Sequence, residues 1–451
     1  MLHRFLKSNI RLGRLSVVYS GGGVENYGDG TGSIVVVRLT RAGAVRIGVN
    51  PGLGLGEAYM VGDLTFDQGD IFELLTLVGR NFTLRPAVGR NLARRLWTWL
   101  VRNIQEINGR VEAQRNVHHH YDLSFDLYRR FLDADMQYSC AYFARPEMSL
   151  EEAQAAKKAH LAAKLRLRPG MHVLDIGCGW GGLALTLAED YGVKVHGVTL
   201  STEQLAVAER RAKERGLSDC VRFTLTDYRD LRGPFDRIVS VGMFEHVGAP
   251  NYRAFFEQVR DLLTPDGVAV IHSIGRMDPP AITAPFIRKY IFPGGSIPAL
   301  SEVTAAVEDS GLWSTDVEIL RLHYAETLRC WRERFLAERA AVALMYDERF
   351  CRMWEGYLAM SEISFRAGSH VVCQLQLTKR IHTLPITRDY MVDAEREAVR
   401  PPIAGREQAG RKKAAPKSSG SVHFSTPEFR YHCTLLGLNS SPTTGQPQRA
   451  A

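Results

Sequence analysis

The sequence lacks the features that mark secreted, disulfide-rich or membrane-spanning proteins. Its 451 residues include seven cysteines, which show no C-x-x-C pair or other paired spacing. Neither a zinc site nor a disulfide framework is therefore indicated, and a reducing cytoplasm fits best. No apolar run approaches the length of a membrane span. The N-terminal segment lacks the apolar core of a signal peptide, because it is interrupted by Arg4, Lys7, Arg11 and Arg14.

Neither sign of charge dominates the composition, although basic residues are in excess. Lys and Arg number 57 against 49 Asp and Glu, which gives a net charge of +8. Hydrophobic residues make up 45% and charged residues 24%, as in an ordinary globular protein with room for two or three domains. The positive charge fits nucleic acid or an anionic membrane surface as a partner, and it fits equally a charge that only maintains solubility.

The most informative segment is V-L-D-I-G-C-G-W-G-G at residues 173–182. It predicts a buried strand that includes Asp175, a glycine-rich turn, and then the start of a helix. Such a turn lets a ligand approach the backbone and the free N–H groups of the helix N-terminus. The pattern G-x-G-x-G-G suits S-adenosylmethionine better than the pyrophosphate of a dinucleotide. On this turn alone, an NAD-type enzyme and a purely structural turn stay open.

Strands and helices alternate through the middle of the chain. Helices are predicted at 203–215 and 252–263, between strand candidates at 172–176, 193–198, 221–225, 235–241 and 268–274. This alternation predicts an α/β fold with a doubly wound parallel sheet. A proline-rich insertion follows residue 274 and is expected to cover the active site. A helical stretch at about 328–365 and a strand at 371–377 come after it.

The N-terminal region is predicted to form a smaller unit. Strand-like runs occupy 34–39 and 44–49, and helical runs occupy 70–81 and 88–104. The last of these has an apolar stripe, two tryptophans, and basic residues at Arg90, Arg94, Arg95 and Arg102. A helix of this kind can lie on an anionic bilayer, and it can equally pack on a neighbouring domain. We predict domains at 1–115 and 116–395, and a basic, disordered tail at 396–451.

Several longer motifs resemble the cyclopropane-fatty-acyl-phospholipid synthases, including the related mycolic acid cyclopropane synthases. The resemblance covers about residues 55–390 and is strongest from 117 to 295. Besides residues 173–182, its matching segments are M-Q-Y-S-C-A-Y at 136–142, G-V-T-L-S at 197–201, D-Y-R-D-L at 227–231, V-S-V-G-M-F-E-H-V-G at 239–248, K-Y-I-F-P at 289–293, and His323-Tyr324 with Thr327-Leu328.

The resemblance implies a class I S-adenosylmethionine-dependent methyltransferase fold (Rossmann-like) with a small N-terminal α+β domain. It also implies transfer of a methylene group from S-adenosylmethionine to the cis double bond of an unsaturated acyl chain in a membrane phospholipid. The resulting carbocation would lose a proton to bound bicarbonate, and a cyclopropane ring would close. Two alternatives stay open: a C-methyltransferase that makes methyl-branched chains, and a lipid-binding protein with a degenerate enzyme domain.

The resemblance also assigns site residues. It places bicarbonate among the backbone of Cys140, the side chains of Glu245 and His272, the backbone of Ile274, and the hydroxyl of Tyr324. Cofactor binding is assigned to Tyr138, Ser139, Asp175, Gly177, Gly179, Thr199, Gln204 and Tyr228. No metal is expected. Ser361 occupies a position where family members often carry a cysteine, and we expect that cysteine to be dispensable.

The implied partner is a membrane surface that carries unsaturated phospholipid acyl chains, rather than nucleic acid. Each basic residue near an anionic surface contributes about 1 kcal/mol to binding. The expected location is cytoplasmic and peripheral, on the inner face of the membrane. A homodimer is left open.

Overall fold

The structure is a computed structural model that describes residues 2–83 and 124–399. A small layer of helices and strands forms its N-terminal part. Its strands form a four-stranded sheet in the order β2-β1-β3-β4, in which β1 and β3 are parallel. The elements are α1 (Leu2–Asn9), β1 (Arg14–Tyr19), β2 (Val24–Tyr27), β3 (Ile34–Leu39), α2 (Arg41–Val49), α3 (Pro51–Met60), β4 (Leu64–Gln68) and α4 (Ile71–Thr83).

Two of the predictions for this layer are confirmed and one is wrong. The strand at 34–39 and the helix at 70–81 are present as β3 and α4. The run at 44–49 was expected to be a strand, but it belongs to helix α2. The Thr40 hydroxyl accepts the N–H of Gly43 at 3.0 Å and caps the start of this helix. A short apolar run does not by itself distinguish a strand from a helix.

The larger part of the protein is built on a seven-stranded sheet in the order β10-β11-β9-β8-β5-β6-β7. Its elements follow in chain order: α5 (Phe125–Phe131), α6 (Leu150–Leu165), β5 (His172–Ile176), α7 (Gly182–Tyr191), β6 (Lys194–Thr199), α8 (Thr202–Glu214), β7 (Val221–Leu225), β8 (Phe235–Val241), α9 (Tyr252–Leu262), β9 (Leu263–Arg276), α10 (Pro285–Tyr290), α11 (Leu300–Ser310), β10 (Trp313–Leu320), α12 (His323–Ala337), α13 (Arg339–Met345), α14 (Glu348–Arg366), β11 (His370–Thr378) and α15 (Asp389–Val399).

Strand order determines where a ligand can bind. Strands β5 to β9 are parallel, and β11 runs antiparallel between β9 and β10. From β5, the chain first adds β6 and β7 on one side and then β8 and β9 on the other. This reversal opens a crevice at the carboxyl ends of β5 and β8. The arrangement confirms the predicted class I methyltransferase fold.

The N-terminal layer packs against the larger part at α14 and α10, among other contacts. The Tyr59 hydroxyl donates to Glu355 on α14 at 2.5 Å. Gly56 on α3 faces Phe286 on α10 so closely that a Cβ at this glycine would lie 2.4 Å from the ring. The layer therefore supports both α14 and the proline-rich insertion. The helical stretch predicted at 328–365 is divided into α12, α13 and α14.

Parts of the predicted domain division lie outside the described residues. These include the boundary at 115, the basic helix at 88–104 with its four arginines, and the tail from residue 400. Helix α15 crosses the boundary predicted at residue 396. The three-domain division therefore stays a prediction. No helix within the two described ranges is both long and apolar enough to cross a membrane.

Candidate active site

The glycine-rich turn lies between β5 and α7, at the crevice. The N–H groups of Gly177 and Cys178 both donate to the carbonyl of Val198, at 2.9 and 3.0 Å, and tie the turn to β6. Gly177 has a φ of +82°, and a Cβ there would lie 2.8 Å from the Cβ of Met243. Only glycine therefore fits without strain. The turn keeps the space above the strand ends open in front of the α7 N-terminus.

One cavity in this crevice is lined by every residue predicted to bind the cofactor: Tyr138, Ser139, Asp175, Gly177, Gly179, Thr199, Gln204 and Tyr228. Asp175 is buried, and its Oδ2 has no hydrogen-bond partner among the described residues. Burial raises the pKa of this carboxyl to about 7, against the opposing charge of Lys157. A buried carboxylate oxygen without a partner fits a ligand that brings a hydrogen-bond donor, such as the amine of S-adenosylmethionine.

The opposite wall of this cavity is held by short hydrogen bonds at the end of β6. The Thr199 hydroxyl donates to Gln204 Oε1 at 2.9 Å and accepts the N–H of Ser201 at 3.1 Å. These bonds orient the Gln204 side chain. Other residues of the lining had no role predicted from the sequence, among them Trp180, Asp227, Met243 and Asn251.

A second cavity is lined by all five residues predicted for catalysis: Cys140, Glu245, His272, Ile274 and Tyr324. Four residues, Tyr138, Ser139, Gly242 and His246, line both cavities, so the two meet at this point. The rest of the second lining is mainly apolar and comes from the insertion, α12, α14 and β11. It includes Ile282, Ile287, Phe292, Leu328, Tyr357, Met360, Phe365 and Val372.

Glu245 lies in a 3₁₀ turn, Phe244–His246, just beyond β8. Its Oε1 accepts the backbone N–H of Ile274 at 2.6 Å, so this N–H is already used to position the carboxylate. Its Oε2 is buried and has no partner within the described residues. Burial raises the pKa of Glu245 to about 7, although the hydrogen bond from Ile274 lowers it. The carboxylate therefore has one oxygen available for a ligand in the apolar cavity.

His272 is a neutral ring with a defined neighbour. It is buried on β9, and burial lowers its pKa well below the ordinary value, with the charge of Lys157 adding to the effect. Gln374, its register partner on β11, places Nε2 at 3.1 Å from His272 Nδ1. With the amide donating to Nδ1, the ring proton is on Nε2. Gln374 was missed because only the sheet order brings it beside His272.

Aromatic rings close the cavity around Tyr138 and Tyr324. Tyr138 stacks on Trp331 with ring centres 5.1 Å apart, and its hydroxyl lies 2.8 Å from that of Tyr357. Tyr324 packs against Phe365 with ring centres 4.9 Å apart. These rings offer aromatic faces to a positive charge.

Two further positions of the site are Cys140 and Ser361, the serine that stands where relatives often carry a cysteine. Cys140 is buried, and burial raises the pKa of its thiol above the ordinary value. The group is therefore a thiol rather than a nucleophilic thiolate. Ser361, where relatives often carry a cysteine, lines the second cavity.

Comparison with known proteins agrees with this geometry. The sequence profile of the mycolic acid cyclopropane synthetase family matches residues 109–375, which include all the predicted site residues. The chain belongs to this family. A cyclopropane-fatty-acyl-phospholipid synthase of Escherichia coli K12 is 43% identical over 340 residues, which cover 73% of this chain and 84% of the relative. A probable fatty acid methyltransferase of Pseudomonas putida is 42% identical over 62% of this chain and 74% of its own length.

Solved structures of the family share the fold. The cyclopropane synthase MmaA2 from Mycobacterium tuberculosis is 36% identical and has a TM-score of 0.57 over 58% of this chain and 97% of its own. The mycolic acid cyclopropane synthase CmaA1 in complex with SAH and CTAB is 36% identical, with a TM-score of 0.56 over 58% of this chain and 97% of its own. The family member described here is therefore an S-adenosylmethionine-dependent methyltransferase.

Proposed function

We propose that the protein transfers a methylene group from S-adenosylmethionine to the cis double bond of an unsaturated phospholipid acyl chain and so forms a cyclopropane ring. One observation carries this proposal. The cofactor cavity meets a more apolar cavity at four shared residues, and this apolar cavity contains Glu245 with an unpartnered buried oxygen. The relative from Escherichia coli is a cyclopropane-fatty-acyl-phospholipid synthase by name.

The cofactor cavity would hold S-adenosylmethionine through the residues that line it. Asp175 offers its free oxygen to the amine, and the glycine turn accommodates the methionine portion. When bound, S-adenosylmethionine supplies an electrophilic methyl group. Tyr138 and Ser139 lie where the two cavities meet, so they would border the path from donor to alkene. An alkene is a weak nucleophile, and its alignment supplies much of the rate.

The apolar cavity would hold bicarbonate beside the alkene. Glu245 Oε2 can accept the bicarbonate O–H, and His272 Nε2–H can donate to another of its oxygens. Tyr324 lines the same space, and the backbone of Cys140 borders it. When bound, bicarbonate supplies the base to which the new methyl group loses a proton. The aromatic rings that line the cavity would keep water from capturing the cation before that proton leaves.

The proposal includes a membrane surface on the cytoplasmic side as the place of reaction. The insertion after β9 lines the apolar cavity through Ile282 and Thr283. On the same segment, the side chains of Met277 and Ile282 are 56% and 38% exposed. Exposed apolar side chains next to an apolar cavity are consistent with entry of a lipid chain from a bilayer.

A second candidate is a C-methyltransferase that gives methyl-branched acyl chains. This candidate is supported by the name of the relative from Pseudomonas putida, a probable fatty acid methyltransferase. The same two cavities would serve this reaction, and the fate of the cation would differ. The free carboxylate oxygen of Glu245 favours ring closure, because deprotonation needs a held base.

Reconstitution tests the proposal. The purified protein is incubated with S-adenosylmethionine and vesicles of unsaturated phospholipid, in buffer depleted of bicarbonate and in buffer supplemented with it. We expect acyl chains that gain one CH₂ and lose the double bond, at a rate that rises with bicarbonate. A rate that is independent of bicarbonate would contradict the assignment of the base. A methyl-branched chain that keeps a double bond, formed when the cation loses a proton from the acyl chain instead of from the new methyl group, would favour the second candidate.

A further inference from the structure

A fully buried lysine lies beneath the junction of the two cavities. Lys157 is on α6 and is 0% exposed. Its Nζ donates to Gln137 Oε1 at 2.5 Å and to Ser139 Oγ at 2.9 Å. Both acceptors are neutral, and within the described ranges this lysine forms no ion pair. Its neighbour Lys158, by contrast, pairs with Asp135 at 2.6 Å. A buried ammonium that forms no direct ion pair is costly, which calls for a reason.

The hydrogen bond from Lys157 determines what the Ser139 hydroxyl can do. An ammonium group only donates, so Ser139 Oγ is the acceptor in this bond. The Ser139 proton must therefore point elsewhere, and the hydroxyl has no other partner in the described part of the chain. Ser139 lines both cavities. Lys157 thus makes Ser139 a polarised donor that faces the place where the cavities meet.

The positive charge of Lys157 reaches groups on both sides of the junction. It opposes the effect of burial on the pKa of Asp175 and of Cys140, and it adds to the effect of burial on His272. Burial lowers the pKa of Lys157 itself to about 8, with Asp133 opposing this shift, so the ammonium form predominates at neutral pH. An oxyanion at the junction would have both a hydrogen-bond donor and a nearby positive charge.

We propose that Lys157 is a positioning residue of the reaction, which fixes Ser139 as a donor to an oxyanion at the junction and supplies that anion with a positive charge. The inference rests on the proposed function. Two oxyanions have the required chemistry: bicarbonate in the apolar cavity and the carboxylate of S-adenosylmethionine in the cofactor cavity. Lys157 acts on either one through Ser139.

The test compares the full-length wild-type protein with Lys157→Met, which keeps an unbranched side chain one atom shorter than that of lysine and removes the ammonium group. Initial rates are measured against added bicarbonate at saturating S-adenosylmethionine. Calorimetry without bicarbonate gives the affinity for S-adenosylmethionine. If the anion is bicarbonate, half-saturating bicarbonate rises about tenfold, the scale of one charge-assisted hydrogen bond. If it is the cofactor carboxylate, the Kd for S-adenosylmethionine rises by about this factor instead.

A lower maximal rate with both constants within twofold of wild type would overturn the inference, because it indicates only a structural role. Ser139→Ala, which loses just the hydroxyl, should raise the same constant, and it should add nothing in the Lys157→Met background. No effect of Ser139→Ala would also overturn it. Lys158→Met is the matched control on the same helix and should leave both constants unchanged.

The outcome also separates this inference from the proposed function. If wild-type turnover responds to bicarbonate and Lys157→Met matches it in both constants, only the role of Lys157 fails. If wild-type turnover ignores bicarbonate, the assignment of the catalytic base fails, and the bicarbonate form of the inference falls with it.

Discussion

Replacing Glu245 with glutamine should change stability with pH in a defined direction. Burial raises the pKa of Glu245 from 4.5 to about 7. The folded protein therefore holds this proton more tightly than the unfolded chain does. The protonated form of Glu245 therefore stabilises the folded protein. This stabilisation is lost as the pH rises from the pKa of the carboxyl in the unfolded chain through its pKa in the folded protein. A shift of this size costs the wild-type protein about 3 kcal/mol of unfolding free energy above pH 7.

Glutamine removes this cost because it stays neutral at every pH. Its amide oxygen can keep the 2.6 Å hydrogen bond from the Ile274 N–H. Its NH₂ group takes the place of Oε2, which has no acceptor among the described residues, and this costs about 1–3 kcal/mol at any pH. The unfolding free energy of Glu245→Gln, relative to wild type, should therefore rise by about 2.5 kcal/mol between about pH 5 and pH 8.

Urea unfolding of the ligand-free protein across this pH range measures the difference. Glu302→Gln is the matched control, because Glu302 caps α11 through the Ala299 N–H at 3.0 Å and lines neither cavity. The difference in unfolding free energy between Glu302→Gln and wild type should not show this rise with pH. A difference between Glu245→Gln and wild type that is constant with pH would refute the reasoning.

Turnover of Glu245→Gln should fall at least about a hundredfold, as for loss of a positioned acid–base group, with S-adenosylmethionine affinity within twofold.

Three further changes test separate parts of the site. Gly177→Val should abolish S-adenosylmethionine binding in calorimetry, because its Cβ would lie 2.8 Å from Met243, and normal affinity would contradict this. Gln374→Leu should lower kcat about tenfold without changing cofactor affinity, because the His272 tautomer is no longer fixed; an unchanged kcat would show that Gln374 is dispensable. Ser361→Cys should change turnover less than twofold, and a large gain would show that serine impairs this chain.

The fold and most of the proposed site could be predicted from the sequence because the motifs lie at the ends of strands. Residues 177–182 follow β5, and Glu245 follows β8, so a parallel sheet brings both to one edge. His272 and Ile274 are on β9, the neighbour of β8. The alternation of strands and helices was sufficient to predict this edge of the sheet, whereas the roles of these residues were implied by the resemblance of their motifs to the family.

The residues that support the site could not be predicted in this way. Gln374 is 102 positions from His272 and meets it only because β11 inserts antiparallel beside β9. In the sequence, Lys157 is one polar residue among others of a predicted helix. It is buried in the structure because this helix packs against the loop at residues 137–139. Such contacts depend on tertiary structure, which a single sequence does not encode locally.

The central claim is that the transferred methyl group loses a proton to a held base and closes a ring. Incubation with S-adenosylmethionine that carries a fully deuterated methyl group tests this most directly, with unsaturated phospholipid vesicles as substrate. Mass spectrometry and proton NMR of the product chains give the deuterium content and show any remaining double bond. The account predicts chains that retain two deuterium atoms on a cyclopropane carbon and have no double bond. Chains that retain all three deuterium atoms in a methyl branch would contradict it.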